Sequence, residues 1–341
     1  MEAPRGRPLG CAMKVAVLHG KVIEGAGEDE QDVLIQAAAV SRSLSDLGYE
    51  TVTLPLSLNI ADTMANLRSL QPDFVFNLVE AIEGRGNMIH FSPIMLDAMN
   101  IPYTGAQTEA MFLTSSKITA KKILKTHGIA TPDWLPSDGS WQTGLAAARC
   151  IVKSAWEHAS IGLDDDSVFS TGDVMPLRQR IAALQRRLGG ACFAEVFIEG
   201  RELNVALLAG SQGAELLPPA EILFTEYPPD KLHVLCYRSK WVEDSFEYEH
   251  TPRTFDFPED DAYLLKHVQD IAWRCWDIFN LRGYARVDFR VDNTGKPCVL
   301  EVNANPCLSP DGGFIAAAKQ SGIDYNGVID RIVKDIPIHS R

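Results

Sequence analysis

The chain has 341 residues, 46% hydrophobic and 23% charged, with a formal net charge of −13 at pH 7. This length exceeds the usual span of one hydrophobic core, so two or three domains are expected. The acidic balance argues against a general binder of nucleic acid or of anionic membranes. No apolar run reaches the roughly 18 residues of a membrane-spanning helix. Seven cysteines without Cys-x-x-Cys spacing suggest reduced thiols of a cytoplasmic protein rather than a disulfide frame or zinc site.

Residues 1–12 carry arginines without the apolar stretch of a signal peptide, and a disordered extension is expected there. Lys14–His19 reads as a buried strand and Gln31–Leu47 as a helix closed by Gly48. Tyr49–Leu54 (strand), Ala61–Leu70 (helix), Asp73–Leu78 (strand) and His90–Met99 (helix) continue the alternation. Strand–helix alternation predicts a parallel sheet with helices on both faces, in a first domain over residues 13–105.

From Thr114 the pattern restarts. A helix is expected over Ser115–Thr126, strands at Cys150–Lys153 and Ser167–Phe169, and an irregular loop between them. A helix over Met175–Leu188 and a strand over Ala191–Ile198 complete a second unit, residues 106–198. Strands at Arg201–Ala209 and Glu215–Ile222, a helix at Asp260–Phe279 and closing helices at Gly312–Gln320 and Tyr325–Val333 make a third, residues 199–341. These later parts have an α+β rather than a doubly wound pattern.

The most informative stretch is Gly283–Pro306. Two alternating runs flank Asp292-Asn293-Thr294-Gly295, which predicts an antiparallel hairpin. Val287, Phe289 and Val291 should share one face, with Cys298, Leu300 and Val302 beside them. The other face then carries Arg286, Asp288, Glu301, Asn303 and Asn305. Two carboxylates and an amide are hard oxygen ligands suited to Mg²⁺, an ion that shares its remaining positions with phosphate and water. A solvated strand face is the plainer alternative.

Arg-x-Asp followed by Glu-x-Asn-x-x-Pro resembles the metal-binding end of the ATP-grasp enzymes, in particular the D-alanine–D-alanine ligase branch. The resemblance runs from Val15 to about Val333. It implies an α/β and α+β architecture of three domains: an N-terminal parallel-sheet domain, then a central and a C-terminal domain with nucleotide bound between them. It further implies Asp288, Glu301 and Asn303 as ligands of Mg²⁺, with Mn²⁺ as a substitute, and Arg286 beside the transferred phosphoryl group. Lys117 and Lys153 match the family's two phosphate-contacting lysines, although a single lysine on a helix is usually a solvated one. Ser160 and Gly162 stand in the small loop that covers the phosphates through backbone N–H groups, a segment that alone reads equally well as a surface turn. Glu195, Phe197 and Ile198 match the hinge that reads adenine, and Glu202 the ribose acceptor. Lys240 precedes a long segment, Val242–His250, expected as a mobile loop.

An ATP-dependent carboxylate–amine ligase working through an acyl phosphate is the implied activity. Its partners are small-molecule carboxylate and amine substrates, with a homodimer as an allowed assembly. The substrate half departs from the family. Glu83 stands where a histidine is usual, Ala159 replaces a serine, Trp241 replaces a tyrosine, and the N-terminal glutamate is matched by either Asp29 or Glu30. Glu83, Trp241 and Ser309 are the candidate substrate contacts. A literal D-alanine–D-alanine ligase and a nucleotide-binding regulatory protein without turnover are the alternatives. No Gly-x-x-x-x-Gly-Lys-Ser/Thr, Gly-x-Ser-x-Gly or His-Glu-x-x-His occurs, which disfavours P-loop NTPases and the simplest hydrolases.

Overall fold

The computed structural model describes residues 12–337 except 24, 136–148, 158–159, 164–166 and 171–173. The expected extension, apart from Ala12, and Ala159 of the phosphate loop lie outside the described residues.

The chain opens with β1 (Lys14–Gly20), α1 (Glu28–Asp46), β2 (Glu50–Leu56), α2 (Ile60–Leu70), β3 (Phe74–Asn77) and α3 (Phe91–Met99). The three strands pair in parallel in the order β2-β1-β3. Alternation along β1 sends Val15 and Val17 against Val40 and Leu44 of α1, and Ala16 and Leu18 against Leu67 and Leu96 on the other face. Both faces are thereby covered, as a parallel sheet requires.

Next come α4 (Thr108–Ser115), which was not expected, and α5 (Lys117–Thr126). Ser116 divides them, because its extended backbone and its Oγ, which accepts from Thr119 N at 3.3 Å, start a new helix. Then follow β4 (Trp134–Leu135), β5 (Arg149–Ser154), β6 (Val168–Ser170), α6 (Val174–Leu188) and β7 (Cys192–Val196). They form an antiparallel sheet ordered β4-β7-β5-β6, with Leu177 and Ile181 of α6 packed on Cys150 and Val152.

The third sheet uses β8 (Gly200–Gly210), β9 (Gly213–Leu216), β10 (Ala220–Ile222), β11 (Arg253–Thr254), β12 (Tyr284–Asp292) and β13 (Pro297–Asn303). Its order is β11-β10-β8-β12-β13, with β9 beside β8. The single strand expected over Glu215–Ile222 is two strands, because Pro218 and Pro219 supply no N–H to a ladder. Between β10 and β11 lie the four-residue helices α7 (Arg238–Trp241) and α8 (Phe246–Glu249), so the segment expected as a loop is partly helical. Ser245 caps α8, its Oγ accepting from Tyr248 N at 3.2 Å. The chain ends with α9 (Ala262–Ile278), α10 (Gly313–Gln320) and α11 (Tyr325–Lys334).

Helix α9 buries Val268, Ile271, Ala272 and Cys275 against Leu203, Val205, Val287 and Phe289. One face of the third sheet is thus core; the opposite face buries Ala206, Leu208 and Tyr284 in a second core with α10 and α11 and carries polar residues over the rest. Gly200, which opens β8, has φ +137°, and a Cβ there would sit 2.0 Å from Val291 O. Glycine is required by both backbone conformation and close approach.

The hairpin of β12 and β13 forms as expected, closed by Asp292 Oδ1 accepting from Thr294 N at 2.9 Å and Lys296 N at 3.0 Å. Its facing differs from simple alternation. Asp288 pairs with Glu301 but Phe289 pairs with Val299, so Leu300 is an extra residue, a β-bulge. Beyond the bulge the parity of β13 inverts. Val299, rather than Cys298 or Leu300, joins Val287, Phe289 and Val302 in the core. Leu300 faces the polar side.

Candidate active site

The hairpin places Asp288 directly opposite Glu301, and Arg286 opposite Asn303. Arg286 clamps Asp288 with two bonds, Nε to Oδ1 at 2.7 Å and Nη2 to Oδ2 at 2.9 Å, while Asn204 of β8 donates to Oδ1 at 2.9 Å. Burial opposes the Arg286 charge, but Asp288, and behind it Glu301, outweigh that and raise the guanidinium's pKa. Glu301 is paired with Lys117 at 3.2 Å, and Asn303 Oδ1 accepts from Asn305 N at 3.1 Å. Asn305 itself is turned away, accepting from Tyr284 OH at 2.6 Å and donating to Val79 O at 3.0 Å. It ties the third sheet to the first.

These carboxylates open onto a cleft of about 840 Å³ between the second and third sheets. Asp288, Glu301, Leu300 and Lys240 line it together with Glu195, Phe197, Ile198 and Glu202. Lys117, Lys153 and Ser160 lie along its wall. Burial pushes the Lys240 ammonium down in pKa, as does Arg286, against the pull of Asp288, Glu202 and Glu301. Ser160, at φ 60°, donates through Oγ to Leu235 O at 2.7 Å. Its hydroxyl therefore braces the loop against the segment at Leu235. Lys117 donates to Glu157 O at 2.7 Å, holding the segment after β5 against α5.

Glu195 is 1% exposed and bound by two ammonium groups, Lys153 at 2.5 Å and Lys121 at 2.7 Å. Burial alone would raise its pKa, but the two lysines more than offset this and lower it. Lys121 is also 1% exposed and donates to Thr131 Oγ1 at 2.7 Å. Nothing in the sequence reading gave Lys121 a role, although it lies four residues beyond Lys117 on one helix face. Arg290 was missed too. It continues the alternation of Arg286 and Asp288, and it is buried in the cleft wall against Glu202.

A second cavity of about 620 Å³ shares Glu157 and Ile161 with the cleft. Asp29, Glu30, Glu80, Glu83 and Trp241 line it, with Lys21. Glu30 is pushed up in pKa by burial, then by Asp29 and Glu157. Asp29 accepts from Tyr237 OH at 2.8 Å, a bond joining the start of α1 to the residue before α7. Glu83, at φ 50°, lines this cavity while its Oε1 accepts from Leu58 N at 3.2 Å. Ser309 lines neither cavity: it is buried, and its Oγ donates to Asp32 Oδ1 at 2.5 Å. Its bond to α1 ties the first and third parts of the chain together.

A family model described as the D-Ala–D-Ala ligase C-terminus matches residues 142–334. The chain belongs to the D-alanine–D-alanine ligase family. A D-alanine–D-alanine ligase of Aquifex aeolicus is 30% identical over 324 residues, covering 94% of this chain and 100% of the relative. A Sinorhizobium fredii protein called y4sG is 29% identical over 305 residues, covering 87% of this chain and 86% of that protein. Among solved structures, a Bacillus anthracis D-alanine–D-alanine ligase complexed with ATP has a TM-score of 0.69 and 21% identity, covering 95% and 97% of the two chains. This family member is therefore an ATP-grasp ligase in fold and class, joining a carboxylate to an amine. Among the described residues, no helix is long and apolar enough to cross a membrane.

Proposed function

We propose that this ligase binds ATP in the 840 Å³ cleft, phosphorylates a small-molecule carboxylate there, and joins the acyl phosphate to an amine. The observation that carries the reading is the union, in one cleft, of the Glu195–Glu202 segment, three lysines and the Asp288–Glu301 pair, beside a second cavity that shares Glu157 and Ile161 with it. A solved relative described as complexed with ATP supports the nucleotide. A carboxylate does not condense with an amine in water, because oxide would have to leave; as an acyl phosphate it loses phosphate instead.

Asp288, Glu301 and Asn303 are adjacent hard oxygen donors, and their chemistry fits Mg²⁺ or Mn²⁺. Bound there, the metal neutralises charge on the phosphate oxygens. Lys117 and Lys153 exchange their present carboxylate partners for phosphate oxygens, and Lys240 joins them. Arg286, held rigid by Asp288, supplies donors for the charge that grows on the carbonyl oxygen as the amine attacks. A preorganised donor of this kind typically contributes about 3 kcal/mol. ATP supply and reduced thiols fit a cytoplasmic setting.

The second cavity takes the first substrate in this proposal. Its carboxylates attract an amine and repel a substrate that presents its own carboxylate to them. The Trp241 ring favours a larger side chain than methyl. Phosphate release with ATP and Mg²⁺ is measured with D-alanine alone and with a panel of D- and L-amino acids. Release with another amino acid and little with D-alanine is expected. Efficient D-alanyl-D-alanine formation would replace this reading with the literal ligase, and ATP binding without release across the panel would favour a regulatory protein.

A further inference from the structure

Three segments of the cleft wall meet at a single side chain. Arg290 donates from Nε to Ile198 O at 3.0 Å, from Nη1 to Glu202 Oε2 at 3.2 Å and from Nη2 to His233 O at 2.9 Å. Ile198 lies between β7 and β8, Glu202 on β8 and His233 in the segment before α7. Arg290 is 3% exposed, and its guanidinium lies 5.3 Å from the Phe197 ring centroid. Burial works against its charge, and Glu202 opposes that effect.

A buried guanidinium persists only when its donors are used, and here all the acceptors belong to the nucleotide cleft. The bond to Oε2 fixes the rotation of the Glu202 carboxylate. Oε1 receives no hydrogen bond from a described residue and remains an acceptor. A carboxylate held this way matches a sugar diol, whose hydroxyls are donors.

We infer that Arg290 is the positioning residue of the ribose subsite: it aims the Glu202 carboxylate at the ribose hydroxyls and locks the hinge and the His233 segment around it. The inference rests on the cleft being the ATP site. Its consequence is selectivity for ribose over 2′-deoxyribose, set by a residue that need not touch the sugar.

The test is calorimetric titration of the full chain, in Mg²⁺, with ATP and with 2′-deoxy-ATP. The wild type should bind ATP more tightly. Arg290→Met should weaken ATP by about tenfold or more, the scale of a lost charged hydrogen bond, while weakening 2′-deoxy-ATP much less, so that the preference collapses. Arg290→Lys keeps the charge but cannot fork to three acceptors, and should retain an intermediate preference. Glu202→Gln should reduce the preference on its own, and the Arg290→Met/Glu202→Gln double variant should add little to either single change. Equal weakening of both nucleotides by Arg290→Met, or a wild type without preference, overturns the inference. Should Arg290→Met prove insoluble, the same ratio in Arg290→Lys decides: an unchanged preference overturns it and a reduced one supports it. A wild type that binds neither nucleotide would instead remove the underlying ATP-site reading.

Discussion

Lys121→Met tests the buried charge cluster around Glu195. The methionine keeps most of the lysine's apolar length but removes an ammonium that binds Glu195 at 2.7 Å and Thr131 Oγ1 at 2.7 Å. Breaking one side of a buried ion pair typically costs 3–5 kcal/mol. Glu195 keeps Lys153 at 2.5 Å, which puts the expected loss at the lower end, about 3 kcal/mol, or on the order of a hundredfold in the unfolding equilibrium. For a cooperative unit of this size that corresponds to a melting point about 6–12 °C lower. Thermal and urea unfolding of the ATP-free protein measure it. Glu195→Gln should cost at least as much, because two lysines then face a neutral amide. The double variant should cost clearly less than the sum, since each single change already breaks the shared pair. A Lys121→Met melting point within about 2 °C of wild type, or strict additivity, would refute the view that these charges hold one another.

Asp288→Asn and Glu301→Gln should each abolish ATP-dependent phosphate release while leaving the circular dichroism spectrum intact; near-normal turnover in both would remove the metal assignment. Glu30→Gln should raise the melting temperature of the substrate-free protein at pH 7. The folded-state pKa of Glu30 lies above its ordinary value, so its ionisation penalises folding above the folded pKa and not below the unfolded one. The gain should therefore shrink to nothing as the pH falls below about 4, the ordinary glutamate range, and a gain that grows towards acid would contradict the sign. Gly200→Ala should cost about 3 kcal/mol or more, or prevent soluble expression, because its Cβ would meet Val291 O at 2.0 Å. Wild-type stability in that variant would show that the start of β8 can relax.

The residues proposed to handle ATP could be named from the sequence because their chemistry is written locally. Arg286, Asp288, Glu301 and Asn303 occupy two strands joined by a tight turn, so alternation alone puts them on one face. The Leu300 bulge was not legible. A bulge adds one residue without changing the apolar character of a strand, and only pairing with Phe289 and Asp288 reveals which residue is extra. Ser309 likewise carried no sign that Asp32, 277 residues away, would claim its hydroxyl.

By itself, the sequence determined the main strands and helices, short of α4 and the short elements between β9 and β11, together with the hairpin and the candidate hard ligands on it, since each depends on spacing within a few residues. Tertiary structure alone decided which charges meet. Glu195 is neutralised by Lys121 at one carboxylate oxygen and by Lys153 at the other, and Arg290 gathers Ile198, Glu202 and His233 from three separate segments. The physical reason is burial. A charged group taken out of water must find its partners wherever the fold brings them, and that choice depends on distances through space that no local pattern encodes.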